Sequence, residues 1–265
     1  MAGSIFARTD GGNPIEMEER QYDSESVLQK LLAQHPYLLA GDQIDPTTPR
    51  RWLLVSNEVG LASEEAGPDR WSVDHLLLDQ DGVPTIVEVK RSSDTRIRRE
   101  VIGQMIEYAA NAVRYWPIRT VRERFEARCR AEGKESERVL AEFVQSEQPA
   151  EQFWQKMNDN LQTGRDRLVF VADVIPSELR RAVEFLNAQM SPADVFAVEI
   201  RQYVGPALTA FVPRVYGTTA ISENRKSPRA TTASSPLPGV DAFESLISEA
   251  PADRQRLLRD LSAWS

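Results

Sequence analysis

The sequence predicts an α/β fold: a mixed β-sheet flanked by helices in the order α-β-β-β-α-β, with a helical insertion. Three observations predict it. A helix, three strands and a second helix follow one another through the first half. The tripeptide Gln80-Asp81-Gly82 joins two of those strands as a hairpin signal, and the second half reads β-α-β. A chain of 265 residues with 41% hydrophobic content is long enough for one large domain with a proper core, or for a domain and an appendage.

Residues 1–22 are polar, with glycines in "TDGGNP" and no periodic apolar signal, and are expected to be flexible, order beginning near Asp23. In "DSESVLQKLLAQHPYLL", Asp23 or Ser24 can cap a helix, Val27, Leu28, Leu31 and Leu32 form its apolar stripe, and Pro36 ends it. "RWLLVSNEV", "RWSVDHLLLD" and "VPTIVEVK" read as strands. Ser93 or Asp94 then caps a long helix striped by Ile97, Val101, Met105, Tyr108 and Ala112, which stops before Pro117. Residues 118–162 are charged and helical, the expected insertion. "RLVFVAD", "PSELRRAVEFLNAQM" and "DVFAVEIRQYV" supply strand, helix and strand, a unit that favours parallel pairing. The expected domain therefore spans 23–216. Residues 217–240, rich in Ser, Thr and Pro, read as a disordered linker, and 241–265 as a short helical tail that docks on this domain, on a second copy or on a protein partner.

Charge and composition exclude several classes. One cysteine, Cys129, rules out an internal disulfide, and two histidines far apart in sequence, His35 and His75, leave no Cys/His zinc site, so a bound metal must rely on oxygen ligands. No signal-peptide core is visible, and no apolar run reaches the ~18 residues of a membrane helix, so a cytoplasmic protein with no membrane association is expected. A net charge of −8 argues against broad affinity for polyanions, so any nucleic-acid role must rest on a local basic patch.

The strand "TIVEVK" carries an acid and a base in an apolar run. Strand alternation puts Glu88 and Lys90 on one face and Val87 and Val89 on the other. If Gln80-Asp81-Gly82 is a three-residue loop with Gly82 left-handed, Asp79 opposes Val83, and counting back sets Asp74 opposite Glu88. A two-residue loop would send Asp74 to the other face. Two opposed carboxylates repel unless a cation lies between them. Magnesium or manganese suits oxygen ligands: Asp74 and Glu88 directly, the Val89 carbonyl beside them, and Glu25 directly or through a water. Glu25 shares the stripe of Leu28 and Leu32, and Gln104 and Tyr108 share one helix face at i, i+4. Alternation turns His75 away from Asp74.

"VDHLLLDQDGVPTIVEVK" followed by "GQMIEY" resembles the PD-(D/E)XK phosphodiesterase superfamily, in particular its RecB-like branch with a Q-x-x-x-Y helix, and "ESVLQKLLAQHPYLL" is similar to the first helix of NucS-type endonuclease domains. The resemblance covers roughly residues 20–110. It implies a restriction-endonuclease-like core and a metal-dependent nuclease. In that reading Asp74 and Glu88 are metal ligands, Lys90 is the charged catalytic residue, and Glu25, Gln104 and Tyr108 support them. No proline precedes Asp74; the literal Pro-Asp is Pro68-Asp69, in an expected loop, which makes Asp69 the fallback. An acid-x-Lys triplet alone is weak, and Glu132-Gly133-Lys134 matches it in a polar helical stretch; the ordered combination of motifs carries the weight. Substrate phosphates would be gripped by Lys90, Arg91, Arg96, Arg98 and Arg99. Arg119, Arg122 and Arg124 could extend that patch or be a solvated face paired with Glu123 and Glu126. The expected partner is nucleic acid, DNA before RNA, in repair or in defence against foreign DNA. A non-cleaving nucleic-acid-binding module and a protein-interaction scaffold are the alternatives.

Overall fold

Continuous apolar runs such as Leu168-Val169-Phe170-Val171 can be satisfied only if both faces of a strand are covered, and the chain covers them. The computed structural model describes residues 3–8, 12–62, 69–94, 100–115, 117–145 and 149–217, all within one unit of the chain, Met1–Asn224. In order the elements are β1 (Ser4–Ala7), β2 (Ile15–Arg20), α1 (Glu25–Gln34), a 3₁₀ turn (Pro36–Leu39), α2 (Gly41–Ile44), β3 (Trp52–Ala62), β4 (Asp69–Asp79), β5 (Pro84–Val89), α3 (Glu100–Tyr115), α4 (Ile118–Ala131), α5 (Ser136–Val144), α6 (Ala150–Gln162), β6 (Arg167–Ala172), α7 (Ser177–Gln189), β7 (Asp194–Val204) and β8 (Thr209–Tyr216).

The fold is mixed α/β, an open sheet of eight strands in the order β1-β2-β7-β6-β5-β4-β3, with β8 pairing β7. β3, β4 and β5 are antiparallel, β5, β6 and β7 parallel, and β8 antiparallel to β7. All six residues of β5 and all six of β6 are buried. Alternation divides their side chains between two cores. Ile86, Leu168 and Phe170 join Met105, Tyr108, Phe125, Trp154 and Leu179 on one face, while Val87, Val89, Val169 and Val171 join Leu28, Leu32 and Leu39 on the other. The helical insertion thus completes the first core, and α1 with its 3₁₀ turn completes the second. No helix among the described residues is long and apolar enough to cross a membrane.

Three expectations are corrected. Residues 1–22, expected to lack regular structure, contain β1 and β2, which pair with each other; β2 also pairs with β7 through Glu18↔Val204 to Arg20↔Gln202. Met17 and Tyr22 are buried, and the Tyr22 hydroxyl donates to the Ile200 carbonyl at 3.0 Å. β8 was not foreseen: its register places Pro213 opposite Ile200, in a strand paired with β7 alone, where a missing N–H is tolerated. Val27, assigned to the packed stripe of α1, is exposed, and the buried stripe is Leu28 and Leu32. The expected linker at 217–240 and tail at 241–265 lie, apart from Gly217, outside the described residues.

Candidate metal and phosphodiesterase site

The hairpin sets the site. Gly82 has φ +70° and its N–H donates to the Asp79 carbonyl at 2.9 Å, while Asp79 N–H donates to the Val83 carbonyl at 3.2 Å. Asp79 is fully buried, and its Oδ1 accepts the N–H groups of Asp81 and Val83, each at 2.9 Å. These bonds fix the three-residue loop, and the register follows: Leu78↔Pro84, Leu77↔Thr85, Leu76↔Ile86 and His75↔Val87. The next position sets Asp74 against Glu88. There the backbone ladder stops and a side chain replaces it, Asp74 Oδ2 accepting the Val89 N–H at 2.7 Å. Its Oδ1 accepts Gln29 Nε2 at 2.8 Å.

Lys90 is bound into the sheet end by its N–H, which donates to the Val171 carbonyl of β6 at 2.8 Å. Its ammonium lies 2.8 Å from Glu88 Oε1, 3.0 Å from the Val89 carbonyl and 3.3 Å from Glu25 Oε1. Glu88 is 3% exposed and Lys90 9%. Burial first, and the Asp74 charge second, push the Glu88 carboxyl up to about 7, against the pull of Lys90. Burial opposes the charged form of Lys90, but Glu88, Asp74 and Glu25 outweigh it and its pKa is raised.

The two helices close on this pair. Tyr108 is fully buried; burial, then the Glu88 and Asp74 charges, raise its hydroxyl pKa, and the Gln104 side chain hydrogen-bonds to it. The Q-x-x-x-Y face of α3 therefore reaches the carboxylates. His75 turns away as alternation requires: its Nε2 lies 2.9 Å from the Gln29 carbonyl, and burial pushes its pKa down to about 4. Asp69 opens β4 opposite Ala62 and is in a strand, not a loop; five residues at about 3.4 Å each put it about 17 Å from Asp74 along the strand.

Two contributors escaped the sequence reading. Gln29, which holds Asp74, is i+4 from Glu25, and that spacing was the available signal. Asp173 follows β6 at the carboxyl end of the parallel strands; it is buried, its Oδ1 accepts the Ser92 N–H at 2.6 Å, and it fixes the turn after Lys90. The acid closing "RLVFVAD" marked it.

The basic patch fares differently. Arg91 donates through Nη1 to the Asp23 carbonyl at 3.2 Å, and Arg96, Arg98 and Arg99 lie outside the described residues. Arg119 pairs with Glu123 at 2.8 Å, and Arg122 with Glu126 and Glu151 at 2.9 Å each, the solvated-face alternative for both.

A divalent cation fits these donors in part. Glu88 Oε2 is buried with no hydrogen-bond partner among the described residues, an orphaned oxygen beside a second carboxylate. Among the described residues no group of three or more His, Cys, Asp or Glu side chains is arranged to hold a metal. The side-chain donors are therefore the Asp74 and Glu88 pair with the Val89 carbonyl beside them. Glu25, expected as a direct or water-mediated ligand, has its Oε1 3.3 Å from the Lys90 ammonium, which Glu88 and the Val89 carbonyl share. No known protein family, curated protein or solved structure matches the chain.

Proposed function

We propose that the protein is a metal-dependent nuclease with a restriction-endonuclease-like core, of the PD-(D/E)XK type and resembling its RecB-like and NucS-like branches, which hydrolyses phosphodiester bonds of nucleic acid, DNA before RNA. The observation that carries this reading is the buried Glu88, set by register against Asp74, with one oxygen on the Lys90 ammonium and the other without a hydrogen-bond partner among the described residues. A buried carboxylate held against a second, half-buried one is costly for a merely structural purpose.

Asp74, Glu88 and the Val89 carbonyl would hold magnesium or manganese, which when bound neutralises charge at the phosphate and lowers the pKa of an attacking water. The protein's own residues do the rest. Gln29 and the Val89 N–H fix the Asp74 carboxylate in one orientation. Glu25 and Glu88 hold the Lys90 ammonium at the site. With its pKa raised, Lys90 is a cation at neutral pH and not a proton acceptor, so its role is to orient the water or stabilise the charge of the pentavalent transition state. Tyr108, buried and hydrogen-bonded by Gln104, lies within reach of the Glu88 and Asp74 charges.

The test is a panel of labelled single- and double-stranded DNA and RNA, linear and circular, incubated with magnesium, manganese or chelator. Cleavage that requires the metal and is lost in Lys90→Ala is the expected result. Binding without cleavage would select the non-cleaving module, and neither binding nor cleavage would select the scaffold.

A further inference from the structure

A groove of about 1020 Å³, with Asp74 in its lining, lies between α1 and the turn that follows α4. β3 and β4 line it through Asn57, Asp74 and His75; α1 contributes Gln29 and Lys30, and the α4 side contributes Arg128, Glu132 and Lys134. The α4 side is the tripeptide Glu132-Gly133-Lys134, where Gly133 takes φ +67°, together with the last turn of α4. Three cations thus face two acids in a chain of net charge −8, and one of those acids is Asp74 itself.

The α4 side is also held in place. Arg128 lies over the Phe125 ring at 5.5 Å and pairs with Glu132 at 2.7 Å, and Glu132 pairs with Lys134 at 2.7 Å, so one carboxylate organises two cations and neutralises one charge. Lys30, on the α1 side, makes no ion pair among the described residues. A groove that takes in a phosphodiesterase carboxylate and is lined by three cations matches a polyanion whose reacting phosphate lies at that carboxylate.

We propose that the substrate strand lies in this groove, its flanking phosphates held by Lys30 on α1 and by Arg128 and Lys134 on the helical insertion. The inference rests on the nuclease reading of Asp74 and Glu88. It gives the insertion a role in substrate binding and places the strand between α1 and the α4 turn.

Cleavage kinetics of the full chain with manganese, over a series of salt concentrations, test it. The variant is the double reversal Lys30→Glu with Lys134→Glu; Lys30 is exposed and the Lys134 side chain is 56% exposed, so neither supports the core. The control makes the same charge change away from the groove, Arg119→Glu with Arg138→Glu, whose arginine side chains are 86% and 77% exposed. The groove variant is expected to raise KM about tenfold or more with kcat within about twofold. The slope of log kcat/KM against log salt should fall by about 1.8 for duplex DNA or about 1.4 for a single strand, and the control should leave both unchanged. Unchanged kinetics in the groove variant, or an equal loss in the control, would overturn the proposal while leaving the nuclease intact. A wild-type protein that cuts nothing would remove the nuclease reading and this inference with it.

Discussion

Glu88 is the residue on which charge, burial and register meet. An unfolded glutamate titrates near 4.5, and burial beside Asp74 moves Glu88 up to about 7. The folded state therefore holds an extra proton between those values. That stabilising contribution is complete below pH 4.5 and is lost as pH rises through 7. In chelator, Glu88→Gln should gain stability relative to wild type as pH rises from 4.5 to above 7, by on the order of 1–3 kcal/mol, the pull of Lys90 being already contained in the raised value. Thermal melts of both proteins across that range check it, and a flat or falling difference would contradict the burial argument. His75, pushed down to about 4, titrates with the opposite sign, but it is common to both proteins and cancels in the difference. At this scale Asp74, Glu88 and Lys90 were legible because strand alternation and a turn rule are local. Gln29 and Asp173 carried only faint local signals, and their partners were not legible, because the bonds to Asp74 and to the Ser92 N–H join segments distant in sequence.

Among elements, the β4–β5 hairpin does most to place the site. Gly82 is left-handed, and a Cβ there would lie 3.1 Å from the Met157 backbone nitrogen of α6, so Gly82→Ala is strained twice over. It should cost about 1–2 kcal/mol in chemical denaturation. A variant as stable as wild type would mean that the loop is not left-handed. The same loop packing explains why the insertion matters here: α6 touches the turn that sets Asp74 against Glu88, and Lys156 and Asn160 bond to Asp81 at 2.9 and 3.0 Å. The elements missed in the sequence are those with weak periodicity. In β2 only Met17 is buried, flanked by glutamates, and β8 carries Pro213 and alternates exposed with half-buried positions. Strands buried on both faces, β5 and β6, announced themselves by their apolar runs.

For the whole molecule, the mixed sheet brings to one end everything the proposed chemistry uses, and an ion network closes the other. At that far end Arg167 joins Asp79 at 3.2 Å and Asp194 at 3.6 Å, while Arg50 joins Asp81 at 2.6 Å. The β-α-β half was readable as parallel because β6 and β7 need a helical crossover. The insertion's place beside the site depends on tertiary packing and was not readable. The central claim is that Asp74 and Glu88 together bind a divalent cation used to cut a phosphodiester. Calorimetric titration of manganese into wild type, Asp74→Asn and Glu88→Gln, with cleavage measured on the same samples, tests it most directly. Binding and cleavage present in wild type and lost together in both variants is the predicted result. Variants that bind manganese and cleave like wild type, or wild-type cleavage that persists in chelator, would contradict it.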